Sequence, residues 1–461
     1  MAIISSKVFG VKLVDITNDK KSRNDESVAK FEISIKFGDD VPLSNTATTK
    51  PVLKQKLQGM LPVAPAPVRA LDPSISTETL PRKILRIIQS YGQNEPDPSG
   101  SLWLGMNKFD PIVQKHVADG EPIRMVLPAF PWKSVNKVDK VLGKLPDFGE
   151  ELALARLNQL CNDIGEIYEH GAEVTITSDG LVYSDLVGIE DEEVFEYGAA
   201  LREMAVQKGF TNIRFTRIMD LLGLNDKATV SKSEYLSLVD ECRKQLMEQY
   251  LPAGFDARDE LLRNQDANST YCGYIIFLTK DLQYNTKIST DNAGEEVKRP
   301  VSGQEYRRRV KRVALDMITR GKAFAAVIES QMPNYVRLSI HRSTGLTKLS
   351  FPLIPQEDSF SKTPWHACIL VTASGQFRTG HAVDLREKHE LVYKNGRPYF
   401  FREKCAMWDW KDTTFEYFYP KGLIVRAERT SDDARVLSAE EEKHLEKLSK
   451  VFSPVIVKGF A

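Results

Sequence analysis

The sequence has no excess of either charge: 63 Lys and Arg stand against 63 Asp and Glu in 461 residues. A diffuse surface for nucleic acid or an anionic membrane is therefore not indicated, although local patches remain open. Cysteine is scarce and scattered. Its five copies (161, 242, 272, 368, 405) form no CxxC pair, which supports neither a zinc site nor a disulfide scaffold. Reduced thiols in a cytosolic compartment are the simple reading. No uninterrupted apolar run approaches the ~20 residues that cross a bilayer. The opening "MAIISSKVFGVKLVDIT" lacks the basic-then-apolar pattern of a leader peptide. There is no internal repeat. The expectation is a soluble cytoplasmic protein of one large or two to three ordinary domains.

What is present falls into blocks. "KFEISIKFGDD" alternates Phe31, Ile33, Ile35 and Phe37 with Glu32, Ser34 and Lys36, the period of a strand with one wet face. Residues 1–60 read as a small β-rich N-terminal extension, and the proline-rich stretch 61–81 as a linker. From about residue 82 helical and apolar strand patterns alternate up to about residue 430. "IRMVLPAF" is a continuous apolar run, as in a strand covered on both faces. "DFGEELALARLNQLCNDIGEIYEHGA" is an amphipathic helix, and "EVTITSDG" a second strand. Residues 251–300 are polar and broken, with "RNQDANST" and "DNAGEE" reading as loops of an insertion. A long basic helix, "EYRRRVKRVALDMITRGKAFAAVIES", precedes the strands "YVRLSIHRS", "HACILVTAS" and "GLIVRAE". Residues 431–461 read as a charged helix and tail. The pattern predicts an α/β fold with a mostly parallel sheet flanked by helices.

In such folds ligands bind beyond the carboxyl ends of strands, which singles out a few segments. "LPAFPWKSVNKVDK" passes from strand to a helix expected to start near Ser134. Lys133, Lys137, Lys140 and Lys144 recur there at the spacing of one helical face. They form either a solvated basic face with Ser134 as N-cap, or an anion site. Lys140 is read as solvated; Lys133 and Lys137, nearest the strand end, as anion-holding. The glycines of a nucleotide-binding phosphate loop are missing, so a nucleoside triphosphate is not implied. Asp147 and Glu150 have capping-box spacing, which accounts for Asp147 structurally and leaves a ligand role open. Ser178, Asp179 and Asp185 follow a buried strand, where carboxylates serve acid–base chemistry or an Asp-Gly turn. Arg337, Ser339 and His341 share one face of a strand, and Trp365-His366 opens another. Arginine can grip a carboxylate or phosphate through two bonds, and histidine titrates near neutrality. Trp132 and Trp365 suit a pocket wall or core packing equally. Histidines 116, 170, 381, 389 and 444 are assigned structural places, and no metal-ligand spacing is present.

Together "FPWKSVNKVDKVLGKLPDFGEELALARL", "YEHGAEVTITSDGLVYSDLVGIEDEEVFEY", "YVRLSIHRS" and "TPWH" resemble the pyoverdine/dityrosine biosynthesis family, the isocyanide (isonitrile) synthases, in its fungal form. The resemblance spans about residues 82–426, outside residues 1–75 and the insertion. It implies a Rossmann-like fold. It further implies conversion of the α-amino group of an amino acid to an isocyanide, with ribulose 5-phosphate supplying the added carbon and no metal or organic cofactor. Relatives in dityrosine spore-wall synthesis give N-formyl tyrosine instead, so a formamide product stays open. An iron, 2-oxoglutarate-dependent dioxygenase is the implied downstream partner, and "FSPVIVKGFA" looks like the start of such a domain.

On that resemblance Lys133, Asp179, Asp185, His341 and His366 are the catalytic candidates. Ser134, Asn136, Lys137, Lys144, Asp147, Ser178, Arg337, Ser339 and Trp365 are the substrate-binding ones. Lys133 and Lys137 with Ser134 would hold the phosphate or activate the ketone, and Arg337 would clamp one of the two anions. Lys133 could also form a Schiff base if burial lowers its pKa. Lys133→Ala and His341→Ala are each expected to abolish turnover with the fold intact. Two other classes stay in view: a phospho-sugar-binding protein without chemistry, and an aldolase or transferase of sugar phosphates.

Overall fold

The computed structural model describes residues 78–404, apart from 95–96, 98–100, 226, 228, 293–297, 356–361 and 373–376. The chain divides into two units, Met1–Ala70 and Leu71–Ala461, and everything below belongs to the second. The N-terminal extension, most of the linker, the strand read in "GLIVRAE" and the C-terminal helix lie outside the described residues.

Two helices, α1 (Leu80–Tyr91) and α2 (Met106–Asp119), precede β1 (Ile123–Pro128). Then follow α3 (Phe148–Gly165), β2 (Ala172–Ser178), α4 (Gly180–Val187), α5 (Asp191–Gln207) and β3 (Ile213–Arg217). A helical stretch comes next: α6 (Ile218–Leu221), α7 (Lys232–Tyr250), α8 (Ala257–Arg263), α9 (Gln265–Asp281) and α10 (Thr286–Ser289). The short pair β4 (Thr290–Asn292) and β5 (Lys298–Pro300) leads into α11 (Gly303–Gln331). The chain returns through β6 (Val336–Ser339) and β7 (Leu349–Ser350). It then forms β8 (Cys368–Val371), β9 (Phe377–Gly380), α12 (Ala382–Leu385), β10 (His389–Lys394) and β11 (Arg397–Glu403).

The main sheet has the order β3-β2-β1-β6-β7 with every pairing parallel. Its centre, β1, is apolar on both faces for a visible reason. Met125 and Leu127 enter one core with α1, α2 and α3, while Val126 enters the other with α4, α7, α9 and α11. A strand sandwiched this way needs no polar alternation. The expected α/β architecture is present: a five-stranded parallel sheet flanked by helices. "HACILVTAS" does not join that sheet. Its strand β8 lies in a second, mixed sheet of order β10-β11-β8-β9.

Two other expectations fail. The segment after Pro131 is not a helix; residues 131–147 run through bends and turns. Local side chains satisfy its backbone instead, with Ser134 Oγ accepting from Asn136 N–H at 3.1 Å and Asn136 Oδ1 from Asp139 N–H at 2.8 Å. Such short-range bonds from Ser and Asn compete with a helical ladder. "RNQDANST" is not a loop either. Asn264 caps α9 by accepting from Asp266 and Ala267 N–H, and Tyr274 and Leu278 then bury their side chains in the second core. Gln265, Asn268 and Ser269 face outward on the helix while Asp266 and Thr270 turn inward, and the cap supplies the start signal.

Candidate active site

A cleft of about 290 Å³ opens beyond the carboxyl ends of β1, β2 and β6. Pro128 ends β1, Asp179 follows β2, and Arg337, Ser339 and His341 come from β6 and the residues just past it. The opposite wall is helical: Glu260, Asn264, Asp266 and Tyr274 from the region of α8 and α9, with Met317, Gly321 and Phe324 from α11. The region read as an insertion therefore builds one side of the cleft. Parallel strands leave their carboxyl ends and the following turns facing the same side, which is why residues so far apart in sequence meet.

Burial shapes the chemistry of this floor. The Asp179 carboxyl is pushed up to about 7 by burial, against the pull of a backbone hydrogen bond and Arg337. Its Oδ1 is sealed from solvent with no partner. Burial draws Arg337 down to about 10, with Glu329, Tyr183 and Asp179 pulling the other way, and its Nη1 is likewise sealed and unpaired. His341 is lowered to about 3 by burial and by Lys348, so near neutral pH it is an uncharged imidazole. Lys348 also lines the cleft, and burial and Arg337 lower it to about 8. A carboxyl near its midpoint and a softened ammonium can exchange protons near neutrality, and the uncharged imidazole beside them can give or take a hydrogen bond.

Other predicted residues fall in a separate buried seam. Lys133, fully buried, lies 2.7 Å from Asp147 Oδ2 and 2.7 Å from Glu150 Oε2, and donates to the Pro364 carbonyl at 3.1 Å. Burial alone would lower its pKa, but Asp147 and Glu150 outweigh that and hold it above the ordinary lysine value. The neutral amine a Schiff base needs is thus not available at Lys133. Asp147 closes a complete capping box with Glu150 at the start of α3, the structural account its spacing suggested. Ser134 N–H donates to the Trp365 carbonyl, Asn136 Nδ2 to the Lys280 carbonyl, and Trp365 packs on Phe130 with ring centres 5.2 Å apart. His366 sits 3.3 Å from both Asp281 Oδ2 and Lys140 Nζ. Burial and Lys140 lower it to about 4. Lys140, read as solvated, is buried and salt-bridged to Asp281. The helical face proposed for the four lysines does not exist, so the turns send Lys133 and Lys140 inward.

A file of rings runs from cleft to seam. His341 meets Tyr274 edge-on at 5.5 Å, Tyr274 meets Phe277 at 5.8 Å, and Phe277 meets His366 at 4.4 Å.

The remaining candidates lie outward. Lys137 and Lys144 pair with Glu193 and Glu196 of α5 at 2.6 and 2.5 Å. Asp185 is held by both Arg320 nitrogens at 2.5 and 2.7 Å. Ser178 Oγ donates to the Phe130 carbonyl at 3.3 Å, tying β2 to the turn after β1. Of the fourteen candidates named from sequence, the cleft itself gathers Asp179, Arg337, Ser339 and His341. Sequence reasoning missed Lys348, Tyr183 and Tyr274. "TGLTKLS" carries no strand pattern long enough to place Lys348, Tyr274 lies in the stretch set apart as a polar insertion, and Tyr183 follows the Asp-Gly turn with no pattern to mark it.

With that geometry in place, relatives are informative. The profile of the pyoverdine/dityrosine biosynthesis protein family matches residues 113–392. The chain belongs to this family. It is 44% identical over 391 residues to the isocyanide synthase xanB of Aspergillus fumigatus, covering 82% of this chain and 50% of that one. It is 31% identical over 336 residues to the L-tyrosine isonitrile synthase of Pseudomonas aeruginosa, covering 71% and 96%. The crystal structure of the PvcA protein from Pseudomonas aeruginosa superposes with a TM-score of 0.58 at 29% identity, over 70% of this chain and all of that one. The chain thus spans about half the length of the fungal xanB protein. No described helix is long and apolar enough to cross a membrane.

Proposed function

We propose that this chain is an isocyanide synthase that converts the α-amino group of an L-amino acid to an isonitrile, with ribulose 5-phosphate as the one-carbon donor. The observation that carries the reading is the cleft floor: Arg337 with its sealed, unpaired Nη1 and Asp179 with its unpaired Oδ1 line one cleft at the strand ends of a chain whose relatives are named isocyanide and isonitrile synthases. Arg337 holds one of the two substrate anions through paired N–H groups. The amine then attacks the ketone, a carbon–nitrogen bond forms and water leaves. Asp179, poised near 7, gives a proton to the departing hydroxyl and can take one back in later steps. His341, an uncharged imidazole in the cleft, orients a substrate hydroxyl through a hydrogen bond. The carbon–carbon bonds on either side of the former ketone carbon must then break, with the rest of the sugar phosphate leaving as the flanking fragments. The isonitrile is then available to an oxidising enzyme such as an iron, 2-oxoglutarate-dependent dioxygenase.

The test is direct. The full chain is incubated with ribulose 5-phosphate and each L-amino acid in turn, and products are read by mass spectrometry. An isonitrile from one amino acid is expected. A formamide moves the assignment to formylation. Consumption of neither substrate favours a binding protein, and cleavage of the sugar phosphate without an amino acid favours an aldolase.

A further inference from the structure

Most lysines around the site already have a carboxylate: Lys133, Lys137, Lys140 and Lys144 as described, and Lys322 with Glu260 at 3.3 Å. Lys348 has none among the described residues, and it lies beside another unpaired cation. β6 and β7 pair in parallel register, Leu338 with Leu349 and Ser339 with Ser350. One step back in that register, Lys348 flanks Arg337, and both line the cleft. Neighbouring parallel strands run about 4.8 Å apart, so two positive groups share one wall with no counterion between them. Their mutual repulsion in a shielded site is unfavourable until an anion joins them.

The acids on the same walls are occupied or distant. Asp266 accepts from Ser343 Oγ at 2.7 Å and Thr344 N–H at 2.8 Å, and Glu260 from Lys322 and Asn264. Glu329 is exposed, and it and Asp179 act on Arg337 without forming an ion pair. Ser339 Oγ accepts from His341 N–H at 3.1 Å, which leaves its own hydrogen free to donate.

We infer that Arg337 and Lys348 form a subsite for a phosphate monoester dianion, with the Ser339 hydroxyl as a neutral donor. A phosphate near neutral pH carries a charge of about −1.5 to −2 and three acceptor oxygens, matching two cations and a hydroxyl. A carboxylate brings a single charge and leaves one cation unbalanced. The subsite deepens the function proposed above by fixing which substrate anion goes where. The phosphorylated ketose is anchored at β6 and β7, and its carbonyl end points toward Asp179.

Binding of inorganic phosphate to the full chain, followed by calorimetry, tests this without any turnover. Saturable binding is expected at pH 7.5, weakened about 10- to 100-fold in Lys348→Met, the worth of one charge-assisted bond. Lys348→Arg should keep the affinity. Wild-type affinity should fall as pH passes about 8 and the Lys348 ammonium deprotonates, whereas Lys348→Arg should hold it to higher pH. Should Lys348→Met fold poorly, competition in the wild-type assay decides: inorganic phosphate must compete with the ketose phosphate and not with the amino acid. No saturable phosphate binding, equal affinity in a folded Lys348→Met, or competition with the amino acid would each overturn the subsite. Phosphate binding without isonitrile formation refutes the reaction and leaves the subsite standing; isonitrile formation with phosphate binding indifferent to Lys348 does the reverse.

Discussion

Replacing Lys133 by Met keeps the bulk of the side chain and removes its charge, leaving Asp147 and Glu150 facing each other in the interior. Both carboxylates lie 2.7 Å from the ammonium, and all three residues are at most 3% exposed. Breaking a buried ion pair from one side costs about 3–5 kcal/mol, because the surviving charge has neither water nor partner. The expectation that Lys133 substitution spares the fold is therefore replaced by its opposite. The pH dependence has a definite sign. Burial raises the Asp147 carboxyl well above its ordinary value, Lys133 opposes this, and Glu150 adds to it. A carboxyl raised in the folded state contributes stability at low pH that is lost as pH climbs from the ordinary carboxylate value toward the raised one. Without Lys133 the opposing pull disappears and the carboxyl rises further. Urea unfolding of Lys133→Met should accordingly show a larger loss at pH 8 than at pH 5, where the acids can take up protons. A loss below about 1 kcal/mol at pH 8, or an equal loss at both pH values, would refute the reasoning. Adding Asp147→Asn and Glu150→Gln to Lys133→Met should recover much of the stability, since a set removed together leaves no lone charge.

Asp179→Asn should lower turnover by about 10²- to 10⁴-fold, the usual worth of a general acid, and abolish the pH–rate limb near 7 while leaving the unfolding midpoint nearly unchanged. In Lys140→Met the His366 imidazole should climb from about 4 toward its ordinary range, since a neighbouring positive charge is gone and Asp281 remains; an unmoved His366 titration by NMR would contradict the contact. Gly180→Ala should destabilise by about 1–3 kcal/mol, because a Cβ there would meet Val194 Cγ1 at 2.4 Å and the Pro131 carbonyl at 2.7 Å, and chemical unfolding reads the loss.

Periodicity carried the main architecture because the physics was local. β1 is apolar on both faces and β6 alternates, so the sheet and the inward row of Arg337, Ser339 and His341 could be read from sequence. The lysine segment misled for an equally physical reason. Spacing of four, three and four matches a helix face, but Ser134 and Asn136 bind the nearby backbone and hold the chain in turns. Once the helix is gone, charge is sorted by what lies opposite: α5 offers Glu193 and Glu196 to Lys137 and Lys144, and α3 offers Asp147 and Glu150 to Lys133. Those partners are 14 to 56 residues away in sequence, beyond what periodicity reports. Lys348 illustrates the limit most sharply, since a two-residue strand fixes its position and no sequence pattern marks so short a pairing.

Lysine content alone therefore did not locate the anion site; the absence of a partner did. The cations that drew attention by number near residues 133–144 are neutralised within the chain, and serve to anchor α3, α5 and α9 around the end of β1. The pair that stays uncompensated sits two strands' width from Asp179, on β6 and β7. An unpaired buried charge is unfavourable in the free protein, and that cost is recovered only when a ligand supplies the missing sign. Binding of the anion then also restores Lys348 to its charged form, so occupation of the subsite should be accompanied by proton uptake near pH 8. Calorimetry in two buffers of different ionisation enthalpy measures that uptake. Phosphate binding with no proton exchange at pH 8 would place the anion away from Lys348 and undo the argument for the two-cation wall.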